Sequence, residues 1–247
     1  MTYPHAKAAN ILKSAIGSKL AYSPDVCRTI PRPCVVCIAD VASSVTGSGP
    51  RAYAWPDDGG QTMFVAFRGT VGCRDLYDTL DVRTARYAFC GTSVRVHAGM
   101  LGAFSEMEND LTAALLSPQH PPRSITFVGH SKGGSHAQFA AAYYSSMFAG
   151  RRSVTCHTFG APRVGDDAFA EWYSGAVHDS VVMIDVLDPI ARLPPEFAGY
   201  HATSALAGTL LVGREPGRGE RLTSLSLSRH DMDSYLTHAI TRSGERF

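Results

Sequence analysis

Apolar residues recur along this chain in two rhythms, and their alternation sets the expected architecture. Over residues 1–22, Ile11, Leu12, Ala15, Ile16 and Leu20 share one side of a helical wheel, with the lysines largely elsewhere. That pattern predicts an amphipathic helix packed on the domain. Arg51–Pro56 and Thr62–Arg68 read as two strands joined by the turn Asp57-Asp58-Gly59-Gly60. Residues Asp75–Phe89 are mixed and show no period. The spacing of Met100, Phe104, Met107, Leu111, Ala114 and Leu115 predicts a helix that stops before Pro118 and Pro121. Ile125, Phe127 and Val128 form a short apolar run, expected as a buried strand. A helix with Ala137, Ala140, Ala141, Tyr144 and Phe148 on its apolar side comes next, ended by Gly150. Val154–Phe159 and Val181–Leu187 read as further strands, separated by a helical segment around Asp166–Tyr173. Thr209–Val212 offers a last strand, and Met232, Tyr235, Leu236, Ala239 and Ile240 repeat at helical spacing to close the chain. Strands alternating with helices imply an α/β fold, with a largely parallel central sheet flanked by helices. Its 247 residues suit a single domain spanning 1–247.

One stretch carries obvious chemistry. Gly129-His130-Ser131-Lys132-Gly133 is a G-x-S-x-G sequence set between the strand at Ile125–Val128 and the Ala-rich helix. A strand–turn–helix setting is what a nucleophile elbow requires. The turn is tight enough to demand small residues on both sides of the serine. Ser131 would stand at a helix N-terminus, where unbonded N–H groups and the helix dipole favour developing negative charge.

Composition narrows the reading mainly by exclusion. Net charge is +1, so nothing points to nucleic acid or to an acidic partner. No apolar stretch approaches a membrane span. Residues 1–22 lack the continuous apolar core of a secretory signal, and a cytoplasmic location is expected, with leaderless export left open. On that basis the six cysteines read as mostly reduced structural thiols. Cys34 and Cys37 form a lone C-x-x-C without a second pair, which is weak support for a metal site with Cys27.

A serine hydroxyl needs a base within hydrogen-bond reach and an acid to orient that base. Downstream acids include Asp166, Asp167, Glu171, Asp179, Asp185, Asp188 and Glu196. Asp188 comes directly after the strand Val181–Leu187, at the sheet edge where catalytic loops emerge, whereas Asp185 lies inside it and Asp166 looks like a helix cap. Among downstream histidines, His230 precedes the closing helix in a loop able to reach the elbow. His238 sits on that helix, opposite its apolar face, and is expected to be solvated.

Several ordered blocks between residues 50 and 240 resemble the class 3 lipases, the fungal-lipase-like branch of the alpha/beta-hydrolases. V-A-F-R-G-T (Val65–Thr70) resembles the family's oxyanion strand, V-H-A-G-M (Val96–Met100) its V-H-x-G-F block, and G-H-S-K-G-G its elbow with lysine in place of leucine. T-F-G-A-P-R-V-G-D (Thr158–Asp166) is similar to the family's sequence after the next strand. D-P-I-A-R-L-P-P (Asp188–Pro195) and H-D-M-D-S-Y (His230–Tyr235) resemble the blocks that carry the triad aspartate and histidine. The resemblance implies Ser131 as nucleophile, His230 as general base and acid, and Asp188 as its orienting partner. It also implies an oxyanion hole from the backbone N–H groups of Thr70 and Lys132. Arg68, His97, His130 and Asp166 receive supporting structural roles.

On the same resemblance the chain is expected to be a serine esterase acting on acylglycerols or related lipids through an acyl-enzyme. The family pattern implies no metal and no organic cofactor, and at most transient contact with a membrane or lipid surface. Phospholipase A-type activity on anionic lipids, a serine peptidase or amidase, and a catalytically silent binding protein are the alternatives. Two departures bear on substrate. Lys132 must find an anion or water, and an ion pair with Asp75 or Asp78 is expected over contact with a substrate phosphate. The segment at the lid position, Asp75–Asp78, belongs to the piece Val71–Asp81, whose larger apolar side chains are Leu76, Tyr77 and Leu80, which predicts a weak lid.

Overall fold

The strand leading into Ser131 lies at the middle of the main sheet, and the chain is wound on both sides of it. The computed structural model describes residues 5–23, 36–38, 52–57, 59–69, 82–89, 91–116, 122–177, 179–203, 208–213 and 227–243. Thr70, the segment 71–81, Cys27, Cys34, Cys73 and Cys90 lie outside them. So do Asp75 and Asp78, and with them the expected lid and the expected partner of Lys132.

In chain order the elements are α1 (His5–Leu20), β1 (Val36–Ile38), β2 (Ala52–Pro56), β3 (Thr62–Phe67), β4 (Thr84–Phe89), β5 (Thr92–His97) and α2 (Ala98–Leu116). Then come β6 (Ser124–His130), α3 (Lys132–Phe148), β7 (Ser153–Phe159), α4 (Asp167–Ala176), β8 (Asp179–Asp185), β9 (Gly208–Val212) and α5 (Met232–Ser243). The main sheet runs β1-β2-β3-β6-β7-β8-β9. β3, β6, β7, β8 and β9 pair in parallel, while β1 and β2 close one edge antiparallel.

Two-sided burial explains why the inner strands read as continuous apolar runs. Alternate residues go to opposite cores. Val65, Phe67, Ile125, Phe127, Val154 and Cys156 pack with Phe104, Leu111, Phe139 and Phe169 of α2, α3 and α4. On the other face, Phe159, Val181 and Met183 pack with Ile11, Leu12 and Ala15 of α1 and with Met232, Tyr235 and Ala239 of α5. Burying Ile11 and Leu12 contributes about 1.5–3 kcal/mol each before chain entropy is counted. Cys156 is a free buried thiol, and burial pushes its pKa up to about 12.

Three expectations need correction. The buried face of α1 is Ala8, Ile11, Leu12, Ser14, Ala15 and Ser18, while Ile16 and Leu20 stand at its edge, 40% and 38% exposed. Ser14 belongs to the buried face because its Oγ lies 2.8 Å from Nδ1 of the buried His157 in β7, an interaction a purely apolar face does not reveal. β8 ends at Asp185 rather than Leu187, because the Asp185 side chain accepts from Leu187 N (2.9 Å) and its carbonyl from Asp188 N (3.0 Å). The polar stretch before Phe89 contains β4, an antiparallel partner of β5 in a separate two-stranded sheet. Its inward residues are Ala85, Tyr87 and Phe89 and its outward ones Thr84, Arg86 and Ala88, so alanine on both faces blurs the alternation.

Candidate active site

β6 delivers Ser131 at the C-terminal ends of the parallel strands, where an open α/β sheet leaves room for a ligand. Ser131 holds φ 58° and ψ −135°, a conformation that costs a non-glycine residue on the order of 1–3 kcal/mol. Its surroundings enforce it. Ser131 N donates to the Phe159 carbonyl of β7 (3.0 Å), and its own carbonyl accepts from Gly134 N (2.8 Å). The turn also brings strand and helix so close that a Cβ at Gly129 would collide with the Gly133 backbone, and one at Gly133 with the Phe67 carbonyl.

Three of the five candidate residues meet in one hydrogen-bonded chain. Ser131 Oγ lies 2.7 Å from His230 Nε2, and His230 Nδ1 lies 2.8 Å from Asp188 Oδ2. With the imidazole neutral, Ser131 donates to Nε2 while Nδ1–H donates to the carboxylate. Asp188 is fully buried, and each oxygen has a partner besides His230: Ile190 N donates to Oδ1 (2.8 Å) and the Tyr235 hydroxyl to Oδ2 (2.6 Å). Burial, and next the neighbouring Asp188 carboxylate, raise the Tyr235 pKa well above its ordinary value, so this phenol keeps its proton and remains a donor. Lys132 begins α3, at the end of a helix where backbone amides lack an acceptor within the helix. Thr70, the second oxyanion candidate, lies outside the described residues.

The supporting residues are more closely engaged than the sequence indicates. His130 is 5% exposed, its Nε2 lies 2.6 Å from the His230 carbonyl, and its ring centroid is 4.7 Å from that of His230. Burial, and then the charge His230 would carry, lower the His130 pKa to about 3. Asp166 caps α4 as expected, accepting from Phe169 N at 3.0 Å. His238 is not simply solvated: its Nε2 reaches within 3.4 Å of Asp185 Oδ2, a fully buried oxygen that also faces Arg229 at 3.8 Å. It lies one turn after Tyr235, on the flank of α5 that reaches the end of β8. Sequence reasoning gives Tyr22 no part in the site, sets Asp185 aside as a strand residue, and includes Tyr235 only as the end of the block that carries His230. For Tyr235 the available signal is a tyrosine five positions after His230, one turn into the closing helix.

A cavity of about 760 Å³ lies elsewhere, lined by Arg152, Trp172 and Asp179 near the starts of β7 and β8, at the opposite end of the strands from the triad.

The sequence profile of the class 3 lipases matches residues 64–198, more than half of the chain. A secreted mono- and diacylglycerol lipase of Fusarium solani is 29% identical over 206 residues, covering 81% of this chain and 59% of that protein. A lipase of Rhizomucor miehei is 30% identical over 148 residues, 58% of this chain and 40% of that protein. The chain therefore spans about three fifths and two fifths of the lengths of these relatives. Among solved structures, lipase II of Rhizopus niveus superposes with a TM-score of 0.64 at 22% identity, covering 80% of this chain and 78% of that one. The lipase of Rhizopus microsporus var. chinensis gives 0.67 at 21% identity, with 88% and 78% covered. These likenesses show the alpha/beta-hydrolase fold. The cytoplasmic location is overturned, because the Fusarium relative is described as secreted. Residues 5–20, within the stretch on which that expectation rests, form a helix that packs its apolar face against the sheet.

Proposed function

This chain belongs to the class 3 lipase family, and from that premise we propose that it hydrolyses carboxylic esters of acylglycerols or related lipids. The observation that carries the reading is the Ser131–His230–Asp188 chain, with links of 2.7 and 2.8 Å. The Fusarium relative, described as acting on mono- and diacylglycerols, supports the acylglycerol class.

In the proposed reaction, Ser131 Oγ attacks the ester carbonyl carbon as His230 Nε2 removes its proton. Asp188 stabilises the imidazolium and holds it in place, itself held by Ile190 N and Tyr235. The negative charge on the former carbonyl oxygen is received by the Lys132 N–H and, on the family resemblance, by the Thr70 N–H. Each such donor is worth about 2.7–4 kcal/mol in the transition state. The C–O bond to the leaving alcohol then breaks, with His230 returning the proton to that oxygen. Water, deprotonated by His230, attacks the acyl-enzyme and releases the carboxylic acid and Ser131. The experiment is a hydrolysis panel with p-nitrophenyl esters, matched p-nitrophenyl amides, di- and triacylglycerols, and phospholipids. Hydrolysis of the acylglycerols, with amides untouched, supports the reading. Amide cleavage at matching rates, or activity confined to phospholipids, overturns it.

A further inference from the structure

We propose that Tyr22 and His130 clamp the backbone of His230, which makes both of them positioning residues for the reaction. The inference rests on the reading of His230 as the base. His230 lies outside the strands of the sheet. It ends a short 3-10 turn, Leu227–His230, so something rigid must fix its backbone if Nε2 is to stay 2.7 Å from Ser131 Oγ. His130, the last residue of β6 and next to Ser131, supplies that contact through Nε2 to the His230 carbonyl at 2.6 Å.

The contact works in only one tautomer. A carbonyl accepts and cannot donate, so His130 must carry its proton on Nε2. The ring is neutral, and Nδ1 must therefore accept. Tyr22, just after α1, provides the donor: its hydroxyl lies 2.7 Å from His130 Nδ1. Burial raises the Tyr22 pKa, which preserves that proton. In the other tautomer, a lone pair on Nε2 would face the His230 carbonyl oxygen and push the base away. Tyr22 thus selects the form of His130 that holds His230. The same hydroxyl packs against Gly69, where a Cβ would collide with it, and Gly69 directly precedes Thr70. Tyr22, two residues after α1, accordingly touches a residue shortly before each proposed oxyanion donor, Gly69 before Thr70 and His130 before Lys132.

The test uses the full chain, p-nitrophenyl butyrate and a fluorophosphonate probe. Tyr22→Phe removes one hydroxyl and keeps the ring. It should lower kcat about 10- to 100-fold through a displaced base. KM should change less than about twofold, and the rate of Ser131 modification should fall in step with kcat. His130→Gln supplies an N–H for the His230 carbonyl that has no tautomer to choose. The double variant Tyr22→Phe/His130→Gln should therefore match His130→Gln within about twofold, a non-additivity that lost packing does not produce. Equal kcat in Tyr22→Phe and the wild type overturns the clamp, as do strictly additive losses. A wild type that neither cleaves the ester nor takes the probe at Ser131 refutes the esterase reading instead, so the two failures are told apart.

Discussion

Tyr235 donates its hydroxyl to Asp188 Oδ2 at 2.6 Å, the same oxygen that lies 2.8 Å from His230 Nδ1. The backbone N–H of Asp185 donates to the Tyr235 oxygen at 3.0 Å, so the phenol joins the end of β8 to the carboxylate. Asp188 is completely buried, and a buried carboxylate is tolerated only when donors surround it.

Tyr235→Phe removes one of those donors. A hydrogen bond to a charged group is worth about 1.5–3 kcal/mol, and both stability and Asp188 geometry should suffer. Urea unfolding should show a loss of that size, with kcat falling about tenfold. Unchanged kcat would mean that Tyr235 is core packing only.

Acid should weaken the fold through its buried histidines. Burial lowers the pKa of His130 and His136 to about 3 and of His157 to about 4. Unfolded histidine titrates near 6.5, so below that pH the unfolded chain takes up protons that the native chain refuses. Stability is therefore present above about pH 6.5 and falls as the pH drops towards these lowered values, each histidine adding up to about 1.4 kcal/mol per pH unit. Denaturant titrations between pH 6.5 and 5 measure the slope before most carboxylates titrate. His157→Gln should make it shallower, and an identical slope in variant and wild type would contradict the assignment.

The first helix should behave as core. Leu12 is 4% exposed and packs in the cluster that holds Phe159 and Met183, so Leu12→Ala should cost about 2–5 kcal/mol in urea unfolding. A cost below about 1 kcal/mol would show α1 to be a dispensable cover.

Much of the fold and of the site is legible in the sequence. The G-x-S-x-G between an apolar run and an Ala-rich helix reveals β6, α3 and the elbow, because strand, turn and helix each leave a local signature. Asp188 and His230 rank first by order and by position at element ends, and they stand in one hydrogen-bonded chain with Ser131. The hidden features depend on contacts between distant residues. The Tyr22–His130 pair is 108 residues apart and Ser14–His157 is 143, and no periodicity carries such information. β4 escapes because Ala85 and Ala88 put alanine on both of its faces. His238 is misjudged because a helical wheel shows the apolar face but not a carboxylate at the end of a neighbouring strand.

The central claim is that Ser131 and His230 act as one catalytic unit. The measurement that tests it most directly is kcat for p-nitrophenyl butyrate in the wild type, Ser131→Ala, His230→Ala, the double variant and His238→Ala. Each single triad variant should lose about 10⁴- to 10⁶-fold, and the double variant should lose no more than the worse single one. His238→Ala should stay within about threefold of the wild type, since its imidazole faces Asp185 rather than Ser131. A His230→Ala variant that retains activity, or multiplied losses in the double variant, would contradict the account.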